Sequence, residues 1–168
     1  MSDASATGSD PRPTVYVETS VISYLVARPS ADLVARAHQK TTRDWWTERA
    51  RFRLYASSFV ADEAKQGDPA YAAQRLGVVA TLLVLAVPED VDRVAQALLL
   101  RGSLPRKAET DALHVAVAAV NGVDYLVTWN LRHIANPAMR RRIEEVCRSC
   151  GYEPPILCTP EELLEAVR

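Results

Sequence analysis

The stretch Thr110-Asp-Ala-Leu-His-Val-Ala-Val-Ala-Ala-Val-Asn-Gly-Val-Asp-Tyr-Leu-Val-Thr-Trp-Asn130 reads as an apolar helix, a tight turn and a short buried strand. Ala, Val and Leu fill the helix, expected over 108–120, and Asn121-Gly122 supplies the left-handed cap that ends it. Tyr125-Leu-Val-Thr128 is β-rich and too short for a helix. Polar residues remain at both ends of the unit. Asp111 falls where the helix begins, and Thr128 and Asn130 fall where the strand stops. An apolar αβ unit that sets an acid and an amide near strand ends is a candidate floor for an active site.

Working outward, the same alternation covers the chain. Thr14-Val-Tyr-Val17 is a first buried strand, followed by Glu18 and by Thr19 and Ser20, good N-caps for a helix to Val26. Arg28-Pro29-Ser30 breaks that helix, and an amphipathic one over 31–50 carries Trp45 and Trp46. Arg53-Leu-Tyr-Ala56 is the second strand, and a helix over 59–66 carries Glu63. Gly67-Asp68-Pro69 stops that helix and starts the next, which runs to about Ala80. Leu82-Leu-Val-Leu-Ala86 is the third strand, and a helix from Pro88 to Leu100 follows. Past Asn130, a loop leads to a helix over 138–150, a weak strand Ile156-Leu-Cys158 and a final helix over 160–167. Strands alternating with helices imply a parallel sheet covered on both faces, and almost wholly apolar strands are what such burial requires.

Composition bounds the rest. A chain of 168 residues fits one domain, read as 14–168, after an N-terminal tail over 1–13 that is expected to be disordered, being rich in Ser, Asp, Ala, Gly and Pro. That tail has no apolar core, so no signal peptide is expected, and no run approaches the roughly 18 apolar residues of a membrane span. Apolar content of 48% and charged content of 24% are those of an ordinary globular protein, and a net charge of −1 gives no global drive toward nucleic acid. Three late cysteines fit a reducing cytoplasm better than a disulfide framework; Cys147 and Cys150 make one Cys-x-x-Cys spacing with no second pair, so free thiols are expected.

In open parallel sheets, ligands bind beyond the carboxyl ends of the strands. Glu18 follows the first strand there, Glu63 lies about a helical turn after the second, and Thr128 and Asn130 follow the fourth. Asp111 opens the helix that feeds the fourth, at the same edge in a right-handed crossover. Carboxylates crowded in a dry pocket repel one another, and a divalent cation resolves this. Mg²⁺ and Mn²⁺ prefer such oxygen ligands, keep several waters and suit phosphodiester hydrolysis. With no His-Glu-x-x-His pair, no cysteine cluster and no Gly-rich phosphate loop, zinc hydrolase and nucleotide-binding classes are disfavoured.

Four segments in order carry a resemblance: Val15-Tyr-Val-Glu-Thr-Ser-Val-Ile-Ser-Tyr24, Ser58-Phe-Val-Ala-Asp-Glu63, Asp111-Ala-Leu-His-Val-Ala116 and Tyr125-Leu-Val-Thr-Trp-Asn130. Together they resemble the motifs of the PIN-domain nucleases, in particular VapC-type toxins, over about 14–159. The resemblance implies a three-layer αβα fold with a five-stranded parallel sheet ordered 3-2-1-4-5. It implies an Mg²⁺- or Mn²⁺-dependent endoribonuclease, cytoplasmic and homodimeric, acting on RNA and held in check by a VapB-like antitoxin. Glu18, Glu63 and Asp111 match three metal-binding acids, Thr128 the hydroxyl residue before the last motif, and Asn130 the position of a fourth acid. Two departures stand out. Glu18 is a longer acid than the family's usual Asp, and Asn130 removes one negative charge. The rival reading is therefore a catalytically weak or inactive PIN-fold module that binds RNA or protein; a DNase is a nearer variant.

Each residue also has a plainer reading. Asp111 alone would be a helix-start acid favoured by the dipole, Glu63 a solvated helix residue, and Asn130 a turn residue. Glu18 is harder to dismiss, since a charge directly after a buried strand needs a partner. His114 could orient a carboxylate or bind phosphate, but its apolar helix favours a hydrogen-bonded core histidine. His133 and Asn136 could rim the site or cap a loop. Trp45 and Trp46 could stack on bases, but a packed helix face is favoured. Among the basic clusters, Arg106 and Lys107, just upstream of Asp111, are the preferred phosphate-positioning cations, with His114 and His133 as weaker RNA contacts.

Overall fold

The computed structural model describes residues 10–166. Five parallel strands form one sheet: β1 (Thr14–Val17), β2 (Arg53–Ala56), β3 (Leu83–Val84), β4 (Tyr125–Val127) and β5 (Ile156–Cys158). They lie in the order β3-β2-β1-β4-β5, the expected one. Eight helices connect or flank them: α1 (Thr19–Val26), α2 (Leu33–Thr47), α3 (Ser58–Ala64), α4 (Pro69–Val79), α5 (Asp90–Leu100), α6 (Glu109–Val120), α7 (Pro137–Ser149) and α8 (Pro160–Ala166). Helices flank the sheet, as in a three-layer αβα fold. No helix among the described residues is long and apolar enough to cross a membrane. Residues 1–9 of the expected tail and Val167 of the expected last helix lie outside the described residues. Asp10 to Pro13 are described, and the Pro13 carbonyl accepts the Arg53 amide at 2.9 Å.

The centre of the sheet is β1, whose Val15, Tyr16 and Val17 are fully buried. It pairs Tyr16 with Tyr55 of β2 on one side and with Leu126 of β4 on the other. The chain crosses from β1 to β2 to β3 in one direction and from β4 to β5 in the other. The reversal falls between β1 and β4, where side chains just past the strands share a crevice. The ladder continues one residue past each: Glu18 N–H donates to the Val127 carbonyl at 3.1 Å, and Thr128 N–H to that of Cys158 at 2.9 Å. Helix α6 covers this junction through a buried run of Ala112, His114, Val115, Ala116, Val117, Ala118 and Ala119. Each fully buried valine in it contributes roughly 1.5–3 kcal/mol, and the alanines let the helix lie close to the sheet. Gly122, with φ of +64°, turns the chain from α6 into β4.

Several boundaries differ from expectation. The third strand is two residues long, and its Leu83 and Val84 are 51% and 74% exposed, because β3 is an edge strand and nothing covers it among the described residues. Helix α2 stops at Thr47 and a 3-10 turn, Arg49–Arg51, completes the expected span. Helix α1 starts at Thr19, with Glu18 rather than Thr19 or Ser20 as its N-cap. Helix α3 spans Ser58–Ala64, one residue earlier in its start and two shorter at its end than expected. Trp45 is buried in the core and Trp46 packs against it, the packed helix face rather than a stacking platform.

Candidate metal centre

Glu18 is the first residue past β1, and it is buried. A carboxylate there needs donors, and the local sequence supplies them. Its Oε1 accepts the Ser20 amide at 3.1 Å, so the acid caps α1 and sits at the positive end of that helix. Its Oε2 accepts the hydroxyls of Ser20 and, at 2.7 Å, of Thr128. Those hydroxyls are tied in turn to the chain after β4. Ser20 Oγ accepts the Trp129 amide and Thr128 Oγ1 the Asn130 amide, both at 2.9 Å. Three donors on Glu18 leave one oxygen, Oε1, with a single partner.

Glu63, on α3, reaches the same place from the other side. Its Oε2 accepts the Thr19 hydroxyl and faces His114 Nε2 at 2.7 Å. His114 is fully buried on α6, and its Nδ1 lies 2.8 Å from the Tyr16 hydroxyl, which lies 2.8 Å from Ser57 Oγ. In the neutral ring with its proton on Nε2, His114 donates to Glu63, the Tyr16 phenol donates to Nδ1, and Ser57 donates to the phenol oxygen. Every member is then satisfied. Burial acts to raise the Glu63 carboxyl, but the His114 hydrogen bond and charge and the Thr19 hydroxyl outweigh it and hold it below its ordinary value. Burial likewise acts to lower the His114 ring; the bond to Glu63 and the charges of Glu18, Glu63 and Asp111 outweigh it and raise it. Tyr16 is pushed well above its ordinary value by burial, so it remains a phenol.

One donor atom from each of Glu18, Glu63 and His114 lies within 4.8 Å of the others, and this group could hold a metal ion. His114 Nε2 already faces Glu63, and its other nitrogen faces Tyr16. The oxygens with spare capacity are Glu18 Oε1 and Glu63 Oε1.

Asp111, in the first turn of α6, lies outside that group of atoms. Its Oδ2 faces His133 Nδ1 at 2.6 Å, in the loop after β4. That loop is fixed by buried Ile134 and Ala135 and by Asn130, whose Oδ1 accepts the His133 amide at 3.1 Å. Asn130 is thus a turn residue that places His133, and Asn136 caps α7 by accepting the Ala138 amide at 3.0 Å. Asp111 is about one-fifth exposed, and its Oδ1 has no partner among the described residues.

The structure brings Glu18, Glu63, Thr128, Asn130 and, through His133, Asp111 to one edge of the sheet. Arg106 and Lys107 are exposed in the turn before α6 and touch none of these acids. One residue needs correction. His114 is the hydrogen-bonded core histidine that its apolar helix favours, and full burial behind Glu63 rules out the weaker expectation of an RNA contact. The residues that sequence reasoning missed are the supports: Tyr16, Thr19, Ser20 and Ser57. Tyr16 carried a signal, since a phenol in an otherwise apolar central strand must find a buried partner. Thr19 and Ser20 were hidden by a sufficient local reading as helix caps.

Comparison with protein-family models and with curated proteins gives no match.

Proposed function

We propose that this protein is a metal-dependent endoribonuclease of the PIN-domain, VapC-like type, hydrolysing RNA phosphodiester bonds. The observation that carries the reading is the convergence of buried Glu18 and half-buried Glu63 just past the β1 and β2 strand ends, each with an oxygen to spare, with Asp111 on the same edge. No lysine or arginine among the described residues pairs with either acid, and a divalent cation would balance such a set. Glu18 and Glu63 would hold Mg²⁺ or Mn²⁺, and Asp111 would complete the set. When bound, that ion would supply charge neutralisation at the phosphate and a lowered pKa for water.

The chain's own groups divide the remaining work. Ser20 and Thr128 hold Glu18 in one orientation, and Thr19 and His114 hold Glu63. Preset carboxylates do not have to reorganise as charge develops on a reacting phosphate. Asp111 and His133 form the pocket's solvent-facing side, where a backbone phosphate would enter. Arg106 and Lys107 stand on the same edge as positioning cations. By the same resemblance the protein would act as the toxin of a two-gene pair, as a cytoplasmic homodimer, silenced by a VapB-like antitoxin.

The test is RNA cleavage with Mn²⁺ by wild type and Asp111→Asn. Cleavage by the wild type that EDTA abolishes and the substitution removes is the expected result. No cleavage by either, with no Mn²⁺ uptake in calorimetry, would leave a non-catalytic module. Metal-dependent cleavage that Asp111→Asn leaves intact would sink the site assignment.

A further inference from the structure

Most arginines on the α5/α7 side of the molecule are committed. Arg93 pairs with Asp90, Arg140 with Glu162, Arg141 with Glu145 and Arg148 with Glu144 and Glu153, while Arg101 donates to Ser149. Arg106 and Arg142 differ: neither has a hydrogen bond or ion pair among the described residues. Both line one cleft of about 430 Å³, between the α5–α6 loop and the first turns of α7. Arg142 reaches back over that loop, so that a Cβ on Gly102 would lie 3.8 Å from its Nη2. Gly102, at φ of +68°, makes the turn beneath it. The next residue, Ser103, also lines the cleft; its hydroxyl is buried and has no partner. An unpaired buried hydroxyl is a cost in a fold that offers it nothing.

We propose that this cleft is a phosphate subsite for the RNA backbone flanking the acidic pocket, with Arg106 and Arg142 as the phosphate donors and Ser103 as a further polar contact. It rests on the nuclease reading above. Its position supports that ligand. Arg106 lies five residues before Asp111 and Ala138 of the cleft lies five after His133, so the cleft is within roughly 18 Å of that pair along either segment. Guanidinium groups match phosphate oxygens in a fork geometry. Leu100, 74% exposed at the rim, adds apolar surface of the kind a nucleoside covers and a bare anion does not. The carboxylate nearest Arg106 in sequence, Glu109, lines the adjoining hollow with it and makes no ion pair with it.

The experiment measures binding of an end-labelled, short single-stranded RNA to the full chain in EDTA, over a series of salt concentrations. In the double variant R106A/R142A, affinity is expected to fall roughly tenfold and the slope of log affinity on log salt to shrink by about 1.4, or about 0.7 for each phosphate no longer neutralised. Neither arginine has a partner to strand, so the fold remains, which circular dichroism checks. The charge-matched variant R141A/R148A removes two arginines that are already paired, and it is expected to keep the wild-type slope. Equal weakening in the two doubles, an R106A/R142A slope equal to wild type, or a wild type that binds no RNA would each overturn the subsite. Mn²⁺-dependent cleavage with unchanged binding in R106A/R142A would remove the subsite and keep the nuclease. A wild type that holds RNA through these arginines but never cuts it would keep the subsite and remove the nuclease.

Discussion

The two ends of the sheet both gather charged residues, yet they use them differently. At the amino end lies a cavity of about 810 Å³, larger than the cleft of Arg106 and Arg142, lined by Asp10, Arg12, Arg53 and Asp124 among others. Its charges are spoken for. Asp10 pairs with Arg12 at 2.6 Å and with Arg53 at 3.8 Å, and hydrogen bonds from Arg12 hold its carboxyl at about 2. Asp124 takes the Thr14 amide and hydroxyl, each at 2.8 Å, and so locks β1 beside β4. At the carboxyl end two carboxylates, one buried and one half-buried, converge with spare oxygens; His114 faces Glu63, and no arginine or lysine among the described residues pairs with either acid. Size marks where the chain leaves space. Unbalanced charge in a dry place marks where the fold retains a cost, and such costs concentrate at functional sites.

The sharpest way to break this contrast is by activity. Glu18→Gln is expected to lower metal-dependent RNA cleavage by about 10³-fold, the scale of removing one preset electrostatic contact from a reacting centre. Arg12→Ala, at the larger cavity, is expected to leave cleavage at the wild-type rate. Comparable losses in both variants, measured as initial rates at saturating Mn²⁺, would erase the distinction between the ends.

Stability comes next. His114→Ala removes a fully buried ring and strands both Glu63 and the Tyr16 hydroxyl. A loss of about 2 kcal/mol in urea unfolding is expected, below the full figure for a buried pair because Glu63 is partly solvated. An unfolding midpoint equal to wild type would mean that the Tyr16–His114–Glu63 chain does not hold the site.

The supports also explain what was legible in the sequence. The five strands and the edge where Glu18, Glu63, Asp111 and Asn130 gather could be anticipated, because apolar runs and turn residues are local signals; the strand order followed only from the resemblance. Partners distant in sequence were not. His114 and Tyr16 are 98 residues apart and Ser20 and Trp129 are 109 apart; nothing local couples them. The exposure of Leu83 and Val84 was equally hidden, since an edge strand and a central one can share the same apolar run. His133 shows the opposite case. Its loop position was read correctly, but its partner, Asp111, depends on how α6 and the β4 loop meet.

A smaller effect is expected from pH. Glu63 sits below its ordinary 4.5 and His114 above its ordinary 6.5, so their pairing stabilises the fold fully between those values. As pH rises from 6.5 through the raised pKa of His114, the ring loses its proton and the contribution fades. As pH falls from 4.5 through the lowered pKa of Glu63, the carboxylate is protonated and it fades again. The gap in melting temperature between wild type and His114→Gln should therefore be widest between those limits; a gap independent of pH would show that charge plays no part. Smallest of all is Arg12→Ala itself, whose ion pair is solvated at the surface. Its melting temperature is expected to match wild type, and a clear drop would make the amino end the more demanding of the two.

The central claim is that Glu18 and Glu63 are held in one pocket for a cation. Titrating Mn²⁺ into the wild type and into Glu63→Gln by calorimetry tests it most directly. The account predicts a saturable site in the wild type that the substitution weakens at least tenfold, with both proteins equally folded by circular dichroism. Absence of Mn²⁺ binding in the wild type, or binding of equal strength in Glu63→Gln, would contradict it.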